Sequence, residues 1–218
     1  MPAWPFHPSP RIFGHFLADT PVPTGTVGEV SGKDGADSTG TVASECRRMT
    51  IRAFYDQWPR YHRALTDVVA GLPTDALALR PAPDGWPMWA TVAHTAGTRV
   101  YWLCGELEEP GAETTPFPDP MSGIGWEDDL DTPRDADELV AALDSSWRII
   151  EACLDRWTPE MLGETFVRKW GSGGAVHSRG SILQRLFSHD AYHSGELSQT
   201  LGIHGLTQID LWPPGSTA

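Results

Sequence analysis

Residues 132–157 carry the most regular hydrophobic pattern in the chain. Leu139, Leu143, Trp147, Ile150, Leu154 and Trp157 follow at steps of four, four, three, four and three, the period of one buried stripe on an α-helix. Thr132 as N-cap, Pro133 at the first helical position and Asp135 in the first turn predict its start. Three further segments share the period. From about 48 to 71 the stripe is Phe54, Trp58, Tyr61, Leu65, Val68 and Leu72, closed by Gly71-Leu72-Pro73, with Pro59 a candidate kink. From Pro87 to Leu107 the arc is Trp89, Val92, Ala93, Ala96, Val100 and Leu103. His94 lies at its margin beside Ala90, Gly97 and Tyr101, and the small Ala90 and Gly97 predict close approach of another helix. The last segment runs Ile182, Leu186, His189, His193, Leu197, Leu201, opened by Ser181 with Gln184 as a capping box and stopped by Gly202.

The connections differ in kind. Pro110 to Asp131 is rich in Pro, Gly and acids, too irregular for a core helix and longer than most connections, and such loops often cover a site. Residues 163–180 read as a loop or short hairpin, and no β-rich run or internal repeat appears elsewhere. Four long helices with a long crossover predict an all-α helical bundle. Residues 1–45 contain 12 Gly or Pro without sustained periodicity, which reads as an irregular or disordered leader. The expected organisation is therefore a leader over 1–47 and a bundle over 48–214, and Met49 is a candidate natural start.

At 218 residues and 40% hydrophobic content the chain can build one substantial core. Its formal charge of -13 argues against a general grip on nucleic acid or on an anionic membrane, because both need a cationic surface. No run approaches the length of a spanning helix and the opening MPAWPFHPSP lacks a secretory pattern, so the expected location is cytoplasmic. Cys46, Cys104 and Cys153 form no CxxC pair and leave an odd count, which points to reduced thiols rather than a disulfide framework or zinc knuckle. The ten Trp are expected in the core or in pocket walls.

The chemistry concentrates in 189-HDAYHSGE-196. His189 and His193, four apart on one helix face, can close on a single cation, and Glu196 shares that face as a second-layer partner or proton-transfer group. A lone core-facing histidine is ordinarily structural; two on one face with a carboxylate a turn away favour a metal site. Glu196 also fits a solvated helix end. The consecutive Ser188, His189 and Asp190 point in different directions and make no hydrolytic triad. His62 is expected at the edge of the first helix's apolar stripe.

Together, 80-RPAPDGWPMWATVAHTAGTRVYW-102, the acidic crossover, HDAYHSGE and 209-IDLWPP-214 resemble the DinB/YfiT-like superfamily of bacterial metalloproteins over roughly Met49 to Pro214. The resemblance implies an up-up-down-down four-helix bundle with long crossover connections. It also implies a divalent metal held by one histidine of the second helix, matched by His94, and a pair on the last, matched by His189 and His193. Some members of that family are transferases or isomerases that use bacillithiol or mycothiol.

For a three-imidazole site zinc is the first expectation, with nickel or iron as alternatives. Neutral imidazoles leave the ion its positive charge and at least one ligand position for water or substrate. Tyr101, seven residues from His94, is a candidate ligand-binding hydroxyl, with core packing as the alternative. Arg179, with Arg168 and Lys169, flanks the entrance to the last helix and is a candidate contact for an anionic substrate or thiol carboxylate, with a solvated basic loop as the alternative. The expected partner is a small molecule, and a homodimer is compatible with all of this. The competing expectation is a non-catalytic metal-binding bundle that serves as a sensor, carrier or dimerisation module.

Overall fold

Pro59 decides where the first long helix begins. In the computed structural model, which describes residues 50–169 and 174–212, α1 spans Trp58–Ala70 with Pro59 in its first turn. The missing N–H there deprives the helix of nothing, because first-turn amides have no intrahelical acceptor. The proline therefore starts the helix rather than kinking it. The preceding Ile51–Tyr55 forms a 3₁₀ turn. Because this turn is separated from α1, residues 51–55 do not continue the helical stripe of α1, and Ile51 is fully buried while Phe54 is 69% exposed. The expected leader, residues 1–47, lies outside the described residues.

A one-turn helix that the pattern did not announce, α2 (Thr74–Leu77), buries Ala76 and Leu77. Helix α3 (Met88–Val100) takes Pro87 as its N-cap and continues into a π-helical turn, Tyr101–Glu106. Helix α4 (Ala136–Arg156) starts later than Thr132 and Pro133 suggested. Asp135 accepts from the Glu138 amide at 2.9 Å while Glu138 accepts from the Asp135 amide at 3.1 Å. This reciprocal pair satisfies two end donors at once, which a Thr132 cap could not. Helix α5 (Arg179–Ile203) is capped by Ser178, one turn before the expected Ser181, and runs past Gly202 to His204. Gly205, at φ 71°, takes the left-handed conformation that ends the helix. Ahead of α5, β1 (Thr165–Val167) pairs antiparallel with β2 (Val176–Ser178), Phe166 opposite His177.

Helices α1 and α3 both pack on α4 and on α5. Between them lie Trp58, Leu65, Val92, Ala96, Leu103, Leu143, Ile150, Leu186 and Leu201, all buried. Gly97, expected to admit a neighbouring helix, instead receives the Phe117 ring from the crossover. Among the described residues no helix is long and apolar enough to cross a membrane.

Polar groups sit at the centre of this core. The fully buried Arg99 donates from Nε and Nη2 to the two carboxylate oxygens of Asp190 at 3.1 and 2.8 Å, and Trp58 Nε1 donates to the same carboxylate at 2.8 Å. Arg99 also donates from Nη1 to the Leu143 carbonyl and the Ser146 hydroxyl, both at 3.3 Å. One ion pair thereby touches all four long helices.

His62 is inside the core rather than at its edge. Its ring stacks on Trp147 at 4.8 Å and 12°, and Nε2 donates to Asp144 at 3.1 Å. Burial, and then the charges of Arg99 and Arg63, push its pKa down to about 3. The folded protein therefore keeps His62 neutral where the unfolded chain has already taken up a proton. Above a pH of about 6.5 this costs nothing; below it, stability falls until the pH reaches the folded value. Urea unfolding from pH 7 down to pH 5 should show His62→Gln losing less stability than the parent, the difference growing by at most about 1.4 kcal/mol per pH unit. Parallel losses in the two proteins would disconnect His62 from the acid sensitivity.

Candidate metal centre

The buried face of α5 is centred on Asp190, with Leu183, Leu186, Ser194, Leu197 and Leu201 around it. At 3.6 residues per turn this rotates His189 to the margin, where it is only partly buried, while His193 is buried. The margin of α5 meets the margin of α3, and His94 stands there. His189 Nε2 lies 3.1 Å from His94 Nε2 and 3.1 Å from His193 Nε2, and all three ligand atoms fall within 4.8 Å of one another.

The outer nitrogens explain why the inner ones converge. His94 Nδ1 donates to Glu127 Oε1 at 2.8 Å, and His193 Nδ1 donates to Glu196 Oε2 at 2.7 Å. Each carboxylate holds the proton on Nδ1 and leaves the Nε2 lone pair facing inward, the tautomer a metal ligand needs. Two inward lone pairs thus stand 3.1 Å from His189 Nε2, a contact that a shared cation, or a proton on that atom, would relieve. Neighbouring nitrogens on a tetrahedral zinc with ordinary Zn–N bonds stand about 3.3 Å apart, so the donor set and its spacing fit a divalent ion. His189 Nδ1 is buried with no partner among the described residues. Burial first, and then the charges of His193 and His94, push the His189 pKa down to about 2. The ring is thus a neutral imidazole at neutral pH, with one nitrogen able to coordinate.

Glu127 has no signal in the sequence beyond its place in the long acidic crossover, 33 residues from His94. Its position comes from the turn Trp126–Asp128. The Gly125 amide donates to Asp128 Oδ2 at 2.7 Å, Trp126 packs between Phe117 and the Arg134 guanidinium, and Glu127 is driven inward until 4% exposed. A Cβ on Gly125 would run into the Glu127 carboxylate, so a side chain there would push Glu127 from its place. Glu127 and Glu196 also alter the expected charge: behind the neutral imidazoles stand two acids to offset a divalent ion.

Glu196 is half-buried. Burial raises its pKa, but hydrogen bonds from His193 and Tyr192 outweigh this and hold it below the usual carboxylate value. Tyr101 and Arg179 are engaged elsewhere. Tyr101, two turns along from His94, donates to Glu106 Oε1 at 2.6 Å; burial and then this bond push its pKa up to about 12. Arg179 donates from Nη1 to Glu109 at 2.6 Å and from Nε to Glu164 at 2.9 Å, above the Trp157 ring. Lys169 Nζ donates to Glu108 at 2.7 Å.

Replacing Glu127 with Ala should weaken metal binding by about 10- to 100-fold, because the ring it orients loses its fixed tautomer. Chelator competition checks this, and an unchanged affinity would show that Glu127 does not orient His94.

A helical bundle whose α3 and α5 bring three imidazoles to one point defines a class of proteins able to hold a metal ion between helices. The family model of the DinB superfamily matches residues 57–197, and the chain belongs to that superfamily. Its fold is similar to the crystal structure of a DinB-like protein from Bacillus cereus ATCC 10987, with a TM-score of 0.56 at 18% identity over 78% of this chain and 99% of that one. Comparison with curated proteins gives no match.

Proposed function

We propose that this protein is a metal-dependent enzyme acting on a small molecule. His94, His189 and His193 would hold one divalent ion, zinc in the first place and nickel or iron otherwise, and a low-molecular-weight thiol such as mycothiol or bacillithiol would be the co-substrate of a transferase or isomerase reaction. We take the four long helices as the up-up-down-down bundle implied by the resemblance, and a small molecule rather than nucleic acid or membrane as the partner.

The supporting observation is the convergence of three Nε2 atoms with no fourth His, Cys, Asp or Glu in the cluster among the described residues. A ligand position is therefore left to solvent or substrate, unlike a closed structural site. A bound divalent ion supplies Lewis acidity, which lowers the pKa of a water or thiol. The chain's own residues do the rest. Glu127 and Glu196 fix the imidazoles, and Glu196, held ionised by His193 and Tyr192 and partly exposed, would accept a proton from the reacting group. Trp86 beside His94 and Tyr192 beside His193 supply apolar walls.

The test is metal analysis of natively purified protein, followed by cobalt substitution and titration with cellular thiols. A thiol should change the cobalt spectrum. Glu196→Gln, whose amide still accepts from His193, should slow turnover about a hundredfold or more with little loss of metal affinity. One observation favours a non-catalytic metal bundle: of two concavities of the described surface, one beside Ala191, Ser194 and Gln208 and one beside Glu106, Thr165 and Lys169, neither is lined by the three histidines. No spectral response to any thiol, with no turnover on an electrophile panel, would decide for that alternative.

A further inference from the structure

Arg185 stands one turn before His189 on α5, exposed, with its guanidinium 5.0 Å from the centre of the Trp102 ring. Arg168, just after β1, lies 5.2 Å from the same ring, and the His177 ring of β2 meets it edge-on at 5.3 Å. Two guanidinium groups and one imidazole, whose pKa burial and then the two arginines lower, thus surround one buried indole. Arg168 has compensation nearby, donating to the Tyr101 hydroxyl at 3.2 Å with the Glu106 carboxylate at 3.8 Å. Arg185 forms no ion pair with a carboxylate of the described residues; it faces Trp102, the like charge of Arg168, Tyr101 and the His177 ring. Burial and then that like charge lower its pKa.

The cluster is aligned with the three-histidine centre. Steps of four lead from one to the other on both helices: Trp102, Thr98, His94 on the α3 side, and Arg185, His189, His193 on α5. The Thr98 hydroxyl is 3.5 Å from His94 Nε2, and the Arg185 charge acts on His189. Four residues of helix rise about 6 Å, so Arg185 stands one turn from His189 on α5, while Trp102, against which its guanidinium lies, stands two turns from His94 along the α3–α5 interface. In a chain of formal charge -13 an anion meets general repulsion, and the paired guanidiniums of Arg185 and Arg168 are what would admit one. Arg179, the basic residue singled out by the sequence, is already occupied by Glu109 and Glu164.

We infer that Arg185, seconded by Arg168 and braced on Trp102, anchors a carboxylate of the small molecule that reacts at the three-histidine centre. The substrate class is therefore a carboxylate whose reacting atom lies a few bonds from the anionic group. The planar guanidinium fork suits a carboxylate in particular. This inference rests on the metal-dependent function proposed above.

Cobalt-loaded full-length protein titrated with 3-mercaptopropionate and with 2-mercaptoethanol tests it. The carboxylate thiol should bind at least about tenfold more tightly, the scale of one charge-assisted contact. Arg185→Gln should abolish the preference, Arg185→Lys should keep part of it, and both variants should bind cobalt as the parent does. Metal-free protein should bind succinate in calorimetry, and Arg185→Gln should not. Equal binding of the two thiols, or a preference that survives Arg185→Gln, would overturn the anchor while leaving the metal site standing. Absence of metal binding with Arg185-dependent succinate binding would remove the metal-dependent reaction and keep the anchor. Absence of both would remove both.

Discussion

In the His193→Ala variant, stoichiometric binding of zinc or cobalt is lost while the far-UV helical signal is kept. His193 Nε2 is one of two donors that a single helix presents to the common point, and His189 stands between it and His94 at 3.1 Å from each. Removing it leaves two donors and strands Glu196, whose bond to Nδ1 no longer holds a ligand. Loss of an orienting partner alone costs up to about a hundredfold in affinity, and loss of a ligand should exceed that. The fold should survive because Leu186, Leu197 and Leu201, not the histidine, dock α5 on the core. Metal analysis after dialysis, with circular dichroism beside it, checks both halves. Full occupancy in the variant would contradict the ligand assignment.

Arg99→Leu or Asp190→Leu should each destabilise the protein by about 3–5 kcal/mol, since either leaves an unpaired charge where water cannot reach. Arg99 is fully buried and Asp190 is 4% exposed. The surviving Arg99 would keep only the Leu143 carbonyl and Ser146 hydroxyl, and the surviving Asp190 only Trp58 Nε1. The double variant should lose less than the sum of the singles, because it leaves no stranded charge. Equilibrium urea unfolding of the four proteins measures this. Single variants within about 1 kcal/mol of the parent would show that the pair is not the constraint it resembles.

The periodicity alone placed the four long helices and the two histidines of α5, because burying an apolar stripe is a local demand written every three or four residues. It also contained an unused clue: Arg99 and Asp190 are opposite charges at core positions of two helices, and a charge there needs a partner. Helix ends were less legible. Thr132 and Asp135, or Ser178 and Ser181, are chemically alike as caps, and the choice depends on which carboxylate or hydroxyl the completed turn can reach.

What only the tertiary structure decided lies between segments. His94 looks marginal on its own helix and becomes a candidate ligand because the margins of α3 and α5 face each other. Glu127 reaches His94 through a crossover whose path no periodicity encodes. Arg179 and Arg185 are six positions apart and equally basic in the sequence, yet one is held by two carboxylates and the other stacks on an indole. A sequence states which side chains a helix face carries. Which of them find a counter-charge, and which are left to bind something else, is settled only when the faces meet.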